Sequence, residues 1–315
     1  MDSLTVGFNV IIPLVILMGL GYFLRLIKLI DETTISKLNT LVFKLFLPVL
    51  IFKNIYSTDL AQGFDFNIIG YAIIVSIICY LLIFLVIFLI EKDKKKTAVL
   101  IQGIFRTNFV IFGIPVIASL FGENNLGIPS IVIAAVVPVY NTLAVITLEI
   151  FNKGEINIKR VLLGIIKNPL IIASIIGVIF LFTEIKINDV IYSAINDVAK
   201  ITTPLSLIVL GSSFVFKNIR KNLKQNIIGI IGRLVVVPFI FVGISILIGF
   251  RGIELATLMI MFGAPTAVSS YTMAKAMGGD EDLACSLVVL QTILSVFTIF
   301  IMTSLLTELG YLFPI

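Results

Sequence analysis

The sequence predicts an all-α integral membrane protein with ten transmembrane helices, and three observations carry the prediction. The 315 residues are 59% hydrophobic and only 13% charged, more apolar surface than a soluble domain can keep from water. The charges collect in short clusters between apolar runs of about 20 residues, the length that spans ~30 Å of hydrocarbon. The runs are long and uninterrupted. Lipid offers the backbone no hydrogen-bond partner, so such runs read as helices and not as barrel strands.

The elements follow in order. The run at 6–28 has Asp2 in front and Arg25 and Lys28 behind, the reverse of a cleaved leader's polarity, and is kept as a first helix. Helices are expected next near 34–55, 66–90, 97–121 and 127–151, then near 160–183, 189–216, 224–249, 253–277 and 283–308. Before the last of these, Asp280 is the expected N-cap, with Glu281 and Asp282 placed to complement the helix dipole. No connection is long enough to hold a soluble domain, so residues 1–315 form a single transmembrane domain.

The connections alternate in charge. One side receives Arg25, Lys28, Lys37, Lys92, Lys94, Lys95, Lys96, Lys153, Lys159, Arg160, Lys217, Arg220, Lys221, Lys224 and Lys275. The other receives only Lys53, Lys186, Lys200 and Arg251. Short cytoplasmic loops carry the excess of Lys and Arg, so both termini are expected outside the cell membrane. The net charge of +5 follows from this distribution and gives no reason to expect a nucleic-acid partner. With no histidine in the chain, histidine metal sites, Ser-His triads and histidine relays are excluded. Cys79 and Cys285 read as buried packing residues. No cofactor is expected.

Two halves of the chain resemble each other. FKNI occurs at 52–55 and again at 216–219, each after a proline, Pro48 and Pro204. FGIP at 112–115 and FGAP at 262–265 fall in the fourth and ninth helices, and each is followed by a glycine-and-acid loop, GENN at 122–125 and GGDED at 278–282. A five-helix half is odd, so the second repeat enters from the opposite face of the membrane. The expectation is two inverted five-helix repeats, about 1–152 and 160–315, in which helices four and nine are broken and cross. Glycine and proline are poor in a helix interior, and inverted-repeat carriers build their sites from such discontinuous helices. Gly113, Pro115, Gly263 and Pro265 are therefore candidate site residues, as the points where both helices break.

Nearly the whole chain resembles the auxin efflux carrier family, which holds plant auxin exporters and bacterial malate and malonate carriers. The resemblance is sharpest in RTNFVIFGIP (106–115), KNPLIIASIIG (167–177), TPLSLIVLGSSF (203–214) and APTAVSSYTMAKAMGGDEDLA (264–284). It implies the inverted five-plus-five fold of sodium/proton antiporters and bile-acid carriers, with substrate bound where helices four and nine cross. It implies a substrate-contacting role for Asn108, and it matches Pro115 and Pro265 to the crossover prolines. The long cytoplasmic loop of the plant members is absent; only about 152–159 joins the fifth and sixth helices.

The polar residues within the spans supply the remaining candidates. Lys44, Arg106, Glu149, Lys167 and Arg233 are charged, and charges at such depth are costly and commonly line a pathway. Lys44, Lys167 and Arg233 read as long stems snorkelling to the headgroups, and Glu149 as the structural partner of a cation. Arg106 lies about nine residues into its helix, roughly 14 Å at 1.5 Å per residue; it either attracts an anion, or sits in an ion pair or snorkels to the headgroups. Asn108 and Asn141 either offer donors to a carboxylate or join helices to one another. Thr266, Ser269 and Ser270 either line the site or bond their own backbone.

The leading expectation is a secondary carrier for small organic anions such as auxin, malate or malonate, working by alternating access, and not an enzyme. A sodium/proton antiporter of similar fold and a non-transporting membrane receptor are the alternatives. The expected partners are the organic anion and membrane lipid, with a homodimer as one compatible assembly.

Overall fold

A computed structural model describes residues 3–58, 66–122, 125–152 and 158–313, and all regular structure among them is helical. The helices are α1 (Ser3–Leu26), α2 (Glu32–Tyr56), α3 (Phe66–Ile90), α4 (Lys94–Phe105) and α5 (Phe109–Phe121). They continue with α6 (Gly127–Asn152), α7 (Ile158–Lys167), α8 (Pro169–Thr183), α9 (Asp189–Ser213) and α10 (Phe216–Lys221). The last four are α11 (Leu223–Ile248), α12 (Gly252–Gly263), α13 (Ser269–Met277) and α14 (Glu281–Glu308).

Among the described residues, seven helices are long and apolar enough to cross a membrane when Lys94–Phe121 is counted across its interruption. Three shorter apolar helices, Ile11–Leu26, Pro169–Thr183 and Gly252–Gly263, accompany them. Their outer faces carry bare Leu, Ile and Phe side chains, as on Ile74, Leu81 and Phe88 of α3 and Phe239 and Leu247 of α11. In water such a surface would be unfavourable; against lipid it is the matched one.

Local chemistry sets the helix starts. Asp31, Asp93, Asn168, Asn188 and Asp280 each accept a backbone N–H of the turn they precede, satisfying donors that a first turn leaves bare. Asp280 is the cap expected from GGDED, bonding Leu283 N–H at 2.9 Å. Two helices carry a π-helical turn, Val42–Phe46 in α2 and Gly232–Val236 in α11, a local widening often found at functional positions.

The basic ends gather together. Lys221 faces Asp282 at 3.9 Å, Lys275 pairs with Glu281 at 2.7 Å, and Glu91 accepts from Gln225 at 2.8 Å. The exposed Lys221–Asp282 pair contributes little to stability, whereas Lys275 is largely buried against its partner. Helices α1 and α9 make the closest approach: Gly21 lies against the backbone of Ile208, and Gly211 against the backbone of Met18.

Several expectations are corrected. The FKNI copies occupy different structure, since 52–55 lies inside α2 whereas 216–219 forms α10 beyond the end of α9. The expected helix at 160–183 is two helices, parted where the Asn168 side chain caps α8 in front of Pro169. Glu149 has no ion pair among the described residues; its side chain packs against Gly164. Lys44 and Lys167 are exposed, as snorkelling requires. Cys79 and Cys285 are free and buried. Lys153, the connection at 59–65 and part of GENN lie outside the described residues.

Candidate functional site

The fourth and ninth apolar runs are broken, and the breaks meet. Helix α4 stops at Phe105 and α5 resumes at Phe109; α12 stops at Gly263 and α13 resumes at Ser269. Asn108 N–H donates across the gap to the carbonyl of Pro265 at 2.8 Å. Buried irregular backbone has to be satisfied by something, and here side chains from other helices supply it. Gln291 of α14 accepts Thr266 N–H at 3.0 Å and donates to the carbonyls of Gly103 at 3.1 Å and Gly229 at 2.9 Å.

Arg233 completes this lattice and overturns the snorkelling expectation. It is 0% exposed. Its Nε donates to Ala264 O at 2.7 Å, Nη1 to Ile104 O at 3.1 Å and Phe105 O at 3.4 Å, and Nη2 to Met261 O at 3.0 Å. A stem free to reach the headgroups would not turn inward; four carbonyls that helices α4 and α12 leave without partners draw it there.

The position of the first break is also corrected. It falls at Arg106–Thr107–Asn108, and Pro115 lies inside α5, exposed on its outer face. The proline forgoes one hydrogen bond within α5, whereas the break is held by Gln291 and Arg233, which proline spacing does not reveal. Gly113 packs on the ring of Phe109 one turn earlier, and Gly263 against Met302. Pro265 does stand in the second break.

On the other side of the crossing lies a cavity of about 80 Å³. It is lined by the start of α5 (Asn108, Val110, Ile111) and the start of α13 (Ala267, Val268, Ser269), with Arg106 and Thr107 between them. Tyr140 and Asn141 of α6, Thr202 and Ser206 of α9, and Leu47, Ile51 and Asn54 of α2 close it. Of the residues expected at the site, Arg106, Asn108, Asn141 and Ser269 line this space. Gly113, Pro115, Gly263, Pro265 and Thr266 do not; Thr266 is buried behind it, bonded to Gln291 and Ser270.

Arg106 is 4% exposed and has neutral partners alone among the described residues: Gln102 Oε1 at 3.2 Å, Met273 Sδ at 2.7 Å and Asn141 Oδ1 at 2.6 Å. Its bond to Asn141 fixes that carboxamide with the NH2 group turned away from the guanidinium. Asn141 Nδ2, Asn108 Nδ2 and Thr107 Oγ1 are buried with no partner among the described residues. Neither α5 nor α13 has a side chain capping its first turn, so two positive helix ends, each worth about half an elementary charge, face the same space. Buried polar atoms without partners are rare and call for an explanation; here donors and positive charge converge.

Gln102, Gln291 and the inward role of Arg233 escaped the sequence reading. A signal was present: Gln102 in AVLIQGIF and Gln291 in LVVLQTIL are lone carboxamides in apolar runs, and a carboxamide placed there must find a partner.

A family model described as membrane transport protein matches residues 6–303. The chain is similar to an uncharacterized transporter of Methanocaldococcus jannaschii, 26% identical over 300 residues that cover 92% of this chain and 96% of that protein. It is also similar to an uncharacterized transporter of Methanothermobacter thermautotrophicus, 24% identical over 296 residues that cover 92% and 95%. The matched span takes in both broken helices and every residue of the cavity, and the chain belongs to the membrane transport protein family, that of the auxin efflux carriers.

Proposed function

We propose that this transporter is a secondary carrier of small organic anions, with a carboxylate bound in the cavity beside the crossing. The observation that carries the reading is Arg106, a buried cation whose partners among the described residues are all neutral, set among unpartnered Asn108, Asn141 and Thr107 atoms and two uncapped helix starts. A carboxylate satisfies each of these at once, as acceptor and as counter-charge. An 80 Å³ cavity has room for about three waters at ~30 Å³ each, the scale of a compact acid such as malonate or malate and not of a lipid. A sodium/proton antiporter would want a carboxylate at this position, and the lining residues are Asn, Thr, Ser, Tyr and Arg instead.

The finer architecture belongs to the same proposal. Counting α4–α5, α7–α8 and α12–α13 each as one span, and leaving out the six-residue α10, gives ten, arranged as two inverted five-helix repeats, with access alternating as one group of helices rocks against the other. The two twelve-residue half-helices that end at the crossing, α4 and α12, support the pairing of the repeats.

Melting curves of the purified protein against a panel of carboxylates and size-matched neutral amides test the function. Carboxylates should raise the midpoint in proportion to the logarithm of concentration above Kd, and the amides should not. Shifts with neither, in protein that stays folded, would remove the anion site.

Orientation has its own test in the membrane of intact cells. A cysteine at Lys95 should react with an impermeant maleimide only after permeabilisation, and one at Lys186 without it. The reverse pattern would overturn the placement of both termini outside.

A further inference from the structure

Half-helix carbonyl ends buried in a carrier are the usual seat of a coupling cation. In this protein four such carbonyls, from Ile104, Phe105, Met261 and Ala264, converge within 3.4 Å of a single guanidinium. We propose that Arg233 is a tethered cation occupying the place of a coupling metal ion, so that transport requires neither sodium nor potassium at the crossing.

The electrostatics close. Helices α4 and α12 each bring about half a negative charge to their C-terminal ends. Together these match the one positive charge of Arg233, which stays protonated at any ordinary pH. Four carbonyl oxygens are also the ligand type a hard monovalent ion takes, so a side chain that fills all four leaves no vacancy for one. The residue is held for this purpose: it sits on the π-helical turn Gly232–Val236, and Gly232 lets that turn approach Ile104, where a Cβ would come within 3.1 Å of the side chain.

The inference concerns the carbonyl side of the crossing and stands apart from the anion cavity on the opposite side. The experiment therefore uses a readout that needs no substrate. Arg233→Ala should melt roughly 5–10 °C below the natural protein in choline chloride. At least half of the loss should return with millimolar guanidinium chloride, or with sodium chloride replacing choline. The natural protein should respond to neither. Where Arg233→Ala yields no folded protein, Arg233→Gln, neutral and closer in volume, carries the same comparison, and Arg233→Lys should remain indifferent to sodium.

Destabilised Arg233→Ala or Arg233→Gln protein that no cation rescues would reduce Arg233 to packing. Sodium-dependent melting of the natural protein would show a metal site beside the guanidinium. Either result overturns the proposal. Failure of carboxylates to bind would leave the cation rescue intact, so the two readings fail separately.

Discussion

Arg106→Gln should weaken carboxylate binding at least tenfold, about 1.4 kcal/mol, while the protein still folds. The natural side chain contributes a full charge and several donors to a space from which water is largely excluded, where charge-assisted hydrogen bonds are strongest. Glutamine retains an amide NH2 that can serve Asn141 Oδ1 in place of the guanidinium bond at 2.6 Å. It also relieves the desolvation of a cation that has no anionic partner among the described residues. Stability and affinity should therefore separate, with the melting midpoint moving little and the ligand-induced shift collapsing. Arg106→Lys should fall between, because an ammonium keeps the charge but cannot reach Gln102 and Asn141 together. Wild-type affinity in folded Arg106→Gln would make the residue a structural tie.

The largest loss of stability is expected from Gly211→Leu. At the contact between α1 and α9 a Cβ on Gly211 would fall inside the Met18 backbone, as one on Gly21 would inside Ile208. No rotamer relieves a clash with main chain. The helices would have to separate by roughly 1–2 Å and lose the close packing that holds membrane helices together, at a cost of more than ~3 kcal/mol. Little or no monodisperse protein should elute on size-exclusion chromatography. Gly19→Ala, on α1 two residues before Gly21 but with open space around its position, should elute and melt as the natural protein does. Normal elution and melting of Gly211→Leu would refute the close contact.

The helical framework was legible because span length depends on local composition. Apolar runs announced α3, α6 and α14 to within a few residues, and GGDED announced the cap at Asp280. Arg106, Asn108, Asn141 and Ser269, which line the cavity, were legible as candidates because polar groups in an apolar run are costly wherever they lie. The point of the first break was not. FGIP is a local signal for a kink, but a helix comes apart where distant side chains can take over its carbonyls. Those side chains, Arg233 and Gln291, lie more than a hundred residues away along the chain. Arg233 also has the stem of a snorkelling residue, and its direction is decided by helix ends that only the folded bundle brings near it.

The two buried arginines have a consequence for voltage. Helix dipoles cancel over the whole crossing, positive starts against negative ends, but the charges of Arg106 and Arg233 do not, for no carboxylate pairs with either among the described residues. Moving one elementary charge through the full membrane field changes its energy by ~2.3 kcal/mol per 100 mV. Under the proposed alternating access, a displacement of the crossing along the membrane normal carries two such charges when the cavity is empty, one when it holds a monoanion and none when it holds a dianion such as malate. On that reading the membrane potential acts most strongly on the unloaded protein, and the return of the empty site is the step that voltage governs.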